Sequence, residues 1–288
     1  MTKSLLFTVL TFLLNSFVQA QFITYTAENT NGIESDLVTS IIEDDDGIIW
    51  LGSDNGLIKY DREHSFWTRI TVEEGLTSNY IYDVKEDDGG NIWIATNGGG
   101  INRIKPNGDI EEYTPLNTSL PSNIIRSITI DNNSKRWFTT YGGGICKFNG
   151  ALSGKFEVYN VDSGLPTNYF YSSFTDADGN LWFGSNGQGI VTFHPDSVGQ
   201  WNYYDENDGL VGNTILGINQ KANGDMLFAG ANGVSIFSNS SWQNITTAEG
   251  LSDDIAFCVQ ENAQGELLIG TENGLNTFGN GTVTVTDM

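Results

Sequence analysis

Residues 91–100, NIWIATNGGG, place an unbroken run of apolar and small residues between a polar turn and a glycine cluster. The same order returns at 47–56 (GIIWLGSDNG), 135–144 (KRWFTTYGGG), 180–189 (NLWFGSNGQG), 224–233 (GDMLFAGANG) and 265–274 (GELLIGTENG). With Trp50, Trp93, Trp137, Trp182, Leu227 and Leu268 as anchors, the separations are 43, 44, 45, 45 and 41 residues. Fourteen residues before each anchor stands Asp36, Asn79, Asn123, Asn168, Asn213 or Asp254, with no gap needed in any copy. Four residues earlier again come Gly32, Gly75, Ser119, Gly164, Gly209 and Gly250.

Each copy divides by its local chemistry. A loop such as GLTSN ends on an Asn or Asp able to bond its own backbone. An apolar strand A follows (IYDV, IRSI, ILGI), then a turn such as EDDGG, DNNS or DADG, then strand B with the anchor. Asn-Gly or glycine clusters turn B into strand C (LIKY, GICKF, VSIF), because such turns need positive φ. A fourth strand D has an aromatic or aliphatic start: FWTRI, FEVYN, WNYYD, WQNIT. Four antiparallel strands repeated at about 40–45 residues predict an all-β chain folded as a β-propeller. A blade buries its faces only against its neighbours, so the strand-B tryptophans are expected to fill the spaces between blades.

Six A-B-C sets occur, but D-type strands number seven, since FITYT (22–26) precedes the first set and VTVTD (283–287) follows the last. Six four-stranded blades are expected, with one terminal strand as the outer strand of the sixth. An incomplete seven-bladed propeller is the alternative.

Composition narrows the function. The chain of 288 residues has a formal charge of −23, which opposes electrostatic binding to nucleic acid or an anionic membrane. Lys3, the apolar stretch LLFTVLTFLL (5–14) and the small-residue site VQA (18–20) have the layout of a secretory signal. Residues 1–20 are therefore expected to be removed and 21–288 to form a single extracytoplasmic (periplasmic or secreted) propeller domain, without membrane insertion after cleavage. Cys146 and Cys258 lie in apolar strands of different repeats, and both read as buried free thiols.

Written as Gly-Leu-x-x-Asn, apolar strand, Asp-x-x-Gly, Trp-aliphatic-Gly-Thr and Asn-Gly, the repeat resembles the two-component regulator propeller family. GLPTNYFYSSFTDADGNLWFGSNGQGI (164–190) matches that pattern well, and the resemblance extends over 32–276. It implies a sensor propeller that meets glycans or other external molecules. Kinase and DNA-binding parts are not found in this sequence, so a binding or scaffold role is expected rather than direct signalling.

Candidate chemistry is sparse. DADGN (176–180) and EDDDG (43–47) look like calcium loops. They occupy the same turn as DNNS, KANG and NAQG, so hairpin chemistry accounts for all six copies, and calcium at Asp176 and Asp178 is the alternative. His64 and His194 fall on separate C–D turns, which leaves no Ser-His-Asp or His-metal set. No catalytic residue, metal site or cofactor is therefore expected.

One column varies as a binding site does. Three residues after the recurring Asn or Asp stand Thr39, Tyr82, Arg126, Tyr171, Leu216 and Phe257. In a propeller this column should ring one mouth of the central channel, on the face of the D–A and B–C loops; inter-blade packing is the competing reading. The site expected there comprises Tyr82, Arg126, Tyr171 and Phe257, with Asn97, Tyr141, Asn186 and Gln188 of the B–C turns adding hydrogen bonds. Flat aromatic faces suit sugar rings, and a guanidinium suits a carboxylate or hydroxyl cluster. The expected function is non-enzymatic binding or sensing of a glycan or other small polar ligand. A lyase-like propeller enzyme and a protein-interaction scaffold are the alternatives.

Overall fold

The computed structural model describes residues 25–30, 32–150, 156–195 and 201–286. The expected signal segment and most of the strand expected at 22–26 lie outside the described residues. Among the described residues, twenty-four strands form six separate four-stranded antiparallel sheets. Blade 1 comprises β1 (Val38–Glu43), β2 (Ile48–Ser53), β3 (Gly56–Asp61) and β4 (Phe66–Ile70). Blade 2 comprises β5 (Ile81–Glu86), β6 (Ile92–Thr96), β7 (Ile101–Ile104) and β8 (Ile110–Tyr113). Blade 3 has β9 (Ile125–Ile130), β10 (Arg136–Thr140), β11 (Ile145–Phe148) and β12 (Phe156–Tyr159). Blade 4 has β13 (Phe170–Thr175), β14 (Leu181–Ser185), β15 (Ile190–Phe193) and β16 (Trp201–Tyr204). Blade 5 has β17 (Ile215–Gln220), β18 (Met226–Gly230), β19 (Gly233–Ser238) and β20 (Ser241–Ile245). Blade 6 has β21 (Ala256–Glu261), β22 (Leu267–Thr271), β23 (Gly274–Gly279) and β24 (Thr282–Thr286).

The fold is a six-bladed β-propeller. Every blade is made of consecutive strands, and β24, the strand expected at 283–287, is the outer strand of blade 6. No helix among the described residues is long and apolar enough to cross a membrane.

Two devices repeat around the ring. The recurring Asn or Asp of the D–A loop closes that loop through its side chain: Asn79, Asn168 and Asn213 accept from the backbone N–H seven residues earlier, at Val72, Val161 and Glu206. Its backbone carbonyl meanwhile accepts from the B–C turn of the preceding blade, as Asn168 does from Gly142 and Gly144. Gly144 shows why that turn needs glycine, because a Cβ there would lie 2.1 Å from the Tyr159 carbonyl oxygen.

The second device explains the acidic turn. In four blades its first Asp accepts a hydrogen bond from the indole six residues later: Asp44 from Trp50, Asp87 from Trp93, Asp131 from Trp137 and Asp176 from Trp182, at 2.6–2.8 Å. The other oxygen accepts backbone N–H groups of the turn; Asp176 Oδ1 takes those of Asp178 and Asn180. These bonds occupy the carboxylate with turn and core, which is the hairpin reading of DADGN and not the calcium one. Where the anchor is Leu227 or Leu268, the Asp gives way to Lys221 or Asn262.

The indoles are core, as expected. Trp93 is wholly buried in a cluster with Phe138, Cys146, Phe148 and Phe156 of blade 3, and Trp137 reaches Phe183 and Phe193 of blade 4. In blades 1 to 3 a basic residue directly across the ladder, Lys59, Arg103 or Lys147, lies over the indole at 5.2–5.3 Å. Such a contact adds about 0.5–2 kcal/mol where water is excluded.

Five apolar clusters straddle neighbouring blades: 1 with 2, 2 with 3, 3 with 4, 4 with 5 and 5 with 6. The remaining cluster, around Ile33, Ile49, Leu51 and Ile58, holds blade 1 residues only. A cavity of about 520 Å³ lies on that face, and Ile41 there is 66% exposed. Cys146 is buried, and burial pushes its thiol well above the ordinary range. Cys258 departs from the expectation: it is exposed, because β21 belongs to the last blade and no shared cluster covers its second face.

Candidate ligand-binding site at the channel mouth

The innermost strand of every blade carries a β-bulge at the same place. In β5, Ile81 faces Thr96 and Asp83 faces Ala95, which leaves Tyr82 without a cross-strand partner. In β9, Ile125 faces Thr140 and Ser127 faces Thr139, which leaves Arg126. The same omission falls on Thr39, Tyr171, Leu216 and Phe257. An extra residue in one strand bends it and re-aims that side chain. All six bulged residues line one cavity of about 460 Å³, together with Leu37, Val38 and Tyr80. The variable column of the sequence is thus a ring of bulges around one mouth. Within it, Tyr82, Arg126 and Tyr171 also pack on one another across blades 2, 3 and 4.

Arg126 sits between two tyrosines, its guanidinium carbon 3.8 Å from the Tyr82 ring centre and 4.8 Å from that of Tyr171. Each tyrosine leans on another aromatic: Tyr80 against Tyr82 at 4.9 Å, and Tyr141 stacked on Tyr171 at 5.9 Å. Burial, then the Tyr141 phenol, raise the Tyr171 pKa, while Arg126 pulls it down; the net shift is upward. Tyr171 is therefore a neutral phenol at neutral pH, able to donate as well as accept.

The acid next to Tyr82 in sequence, Asp83, is already committed. Its two oxygens accept from Ser40 Oγ, Ser127 Oγ and the backbone N–H groups of Val84 and Ile128, stitching blades 1, 2 and 3 together. The cavity wall itself holds no His, Cys, Asp or Glu.

The expected B–C residues are placed differently. Tyr141 stands at the rim, 38% exposed. Asn97 donates its backbone N–H to the Tyr80 carbonyl and accepts at its own carbonyl from Ser78 Oγ; it is not part of the wall. Asn186 likewise donates its N–H to the Tyr169 carbonyl, and the exposed Gln188 bonds the Gly187 carbonyl. Tyr80 and Leu37 went unanticipated. Each stands two residues before a column residue, just ahead of the inner strand.

A larger groove, about 580 Å³, runs along the outer strands of blades 5 and 6. Its one cation, Lys221, already faces Asp225 at 3.8 Å and Glu261 at 3.7 Å.

The fold and the mouth define a propeller with a single-cation, acid-free cavity on its axis. The repeat pattern described as two component regulator propeller matches residues 32–55, 75–98 and 164–187. These matches fall on the repeats of blades 1, 2 and 4, three of the six. No curated protein matches it. Among solved structures it is similar to the extracellular domain of BT3049 from B. thetaiotaomicron, assigned to a hybrid two component system, at 22% identity and a TM-score of 0.76. That match covers 86% of this chain and 34% of the other, so the chain spans about a third of that domain. Virginiamycin B lyase from Staphylococcus aureus, in an inactive variant with quinupristin, matches at 20% identity and a TM-score of 0.69, over 86% of this chain and 83% of the lyase. PorZ, a surface component of the type-IX secretion system of Porphyromonas gingivalis, matches at 17% identity and a TM-score of 0.63, over 84% and 38% of the two chains. At these identities the likeness is one of fold.

Proposed function

We propose that this chain is an extracytoplasmic, non-enzymatic propeller that binds a glycan or another small polar ligand at the channel mouth. The observation that carries the reading is the convergence of six bulged residues on one cavity, with Arg126 held between Tyr82 and Tyr171. A volume of about 460 Å³ is of small-molecule size, and a mainly apolar wall with few polar groups is the usual make-up of such sites. Strands hold these side chains more precisely than loops would. The apolar N-terminal stretch and the similarity to extracellular sensor domains support a place outside the cytoplasm. The similarity to a lyase raises the enzymatic alternative, but a wall without His, Cys or carboxylate offers no general acid or base of ordinary pKa. The reading is tested by a thermal-shift screen of the protein against oligosaccharides, with product analysis of every hit. A rise in melting temperature without turnover is expected; turnover at the mouth would replace the binding reading with the enzymatic one.

A further inference from the structure

We infer that the ligand of the channel mouth carries a carboxylate, which docks on Arg126, joined to a ring that lies against the flanking tyrosines. This rests on the mouth being a binding site and goes further by naming the ligand's charge. The chain has five arginines, and four of them meet a carboxylate: Arg62 with Glu43, Arg69 with Glu34, Arg103 with Glu111 and Arg136 with Asp87. Arg126 has none. No ion pair or hydrogen bond joins it to any described residue, and its buried Nε has no partner.

This is an unusual position in a chain of net charge −23, where carboxylates outnumber basic residues 36 to 13. A half-buried guanidinium without a counter-ion retains a desolvation cost that a bound anion removes. Asp83, which reaches Ser127 and Ile128 next to Arg126 in β9, is saturated by four donors from three blades and is not free to turn toward it.

The tyrosines also fix how the arginine is presented. Tyr82 and Tyr171 come from the blades on either side, and the guanidinium carbon lies over both rings, so the head group is restrained while no described residue bonds its N–H groups. A planar fork with its edge free matches a carboxylate with two parallel hydrogen bonds. Tyr80 and Tyr141 brace the flanking rings, so little side-chain freedom remains to be lost on binding. Phe257, 52% exposed on the opposite side of the ring, offers a further flat face to the body of the ligand.

Two sources share this chemistry: a sugar acid and an aromatic acid. They are separated by calorimetry with two matched pairs, cellobiouronic acid against cellobiose and phenylacetate against 2-phenylethanol. Within each pair the members differ chiefly in the carboxylate. We expect the acid of at least one pair to bind about tenfold or more tighter than its neutral partner, and its affinity to fall as salt is raised. The pair that shows the difference identifies the source. Arg126→Gln should abolish the acid's advantage, and Arg126→Lys should keep part of it, with an unchanged melting temperature reporting an intact fold. Equal binding of acid and neutral members, no binding by either acid, or an advantage that survives Arg126→Gln would each overturn the inference. Neutral cellobiose binding that needs Tyr171 but not Arg126 would overturn the carboxylate and leave the binding site standing.

Discussion

Blades 1 and 2 are written with the same strands and the same Asp–Trp pair, yet their forward faces meet different surroundings. In blade 2, Ile81 and Val84 are completely buried against blade 1. Their counterparts one repeat earlier, Val38 and Ile41, are 48% and 66% exposed. The contrast repeats at the other end of the chain. Leu227 of blade 5 is completely buried against blade 6, whereas Leu268, at the same position in blade 6, is only half-buried. The repeat therefore supplies apolar faces at every junction, but among the described residues a shared core forms at five of them, and the blade 6–blade 1 junction differs. Burial is a property of the neighbour, not of the residue.

That contrast can be broken most sharply at the strand-B anchors. Trp137→Ala removes a buried indole, its hydrogen bond to Asp131 and its contacts with blade 4, and should cost about 3–5 kcal/mol in urea unfolding. Leu268→Ala should cost about 1 kcal/mol or less, since its side chain is already partly exposed. Comparable losses from both would mean that the junction of blades 6 and 1 is packed in solution like the others.

A smaller difference is expected on strand A. Val84→Ala deletes fully buried methyl groups and should destabilise by about 2 kcal/mol, while Ile41→Ala, the same strand position one blade earlier, should stay within about 0.5 kcal/mol. If Ile41→Ala matched Val84→Ala, the exposed face of blade 1 would have to be covered by something else.

The smallest effect concerns pH and the blade 2–3 interface. Burial raises the Asp87 pKa, but hydrogen bonds from Trp93, Asn91 and the turn backbone outweigh it and leave the carboxyl below its ordinary value. Glu111 is held down to about 2, first by Lys105 and then, against burial, by Tyr113 and Arg103. Groups lowered in the folded state stabilise it fully above the unfolded value, roughly 4, and lose that contribution as pH falls through the folded value. Asp87→Asn should therefore weaken the protein at pH 7, with the gap to wild type narrowing below about pH 4. A gap that stays constant across that range would show that the Asp87 charge contributes nothing.

Much of this architecture was legible in the sequence, for identifiable reasons. The period, the blade count and the tryptophan core follow from residues that do the same job in every copy. The column at the mouth was legible for the opposite reason, since Tyr82, Arg126, Tyr171 and Phe257 vary where their neighbours do not. The bulge that turns these residues out of the ladder left no local signature, because it is a matter of register between two strands. Asn97, Asn186 and Gln188 were expected at the mouth from loop topology alone; the backbone N–H groups of Asn97 and Asn186 are tied to neighbouring carbonyls, the Gln188 side chain bonds the Gly187 carbonyl, and the cavity wall does not include them. The Asp–Trp pairing did leave a signal, because Asp44, Asp87, Asp131 and Asp176 occur only where a tryptophan follows six residues on. The exposure of Cys258 left none, as its strand reads like any other inner strand and only its place in the last blade leaves its second face open.

The claim that the bulged ring is a binding site is tested most directly by calorimetry on wild type, Arg126→Ala and Tyr171→Ala, using the tightest ligand found in the thermal-shift screen. The account predicts a loss of about 1–3 kcal/mol of binding free energy in each variant, as expected for a charged hydrogen bond or a stacked ring, with the fold unchanged. Unchanged affinity in both variants would contradict it and place the binding surface elsewhere on the propeller.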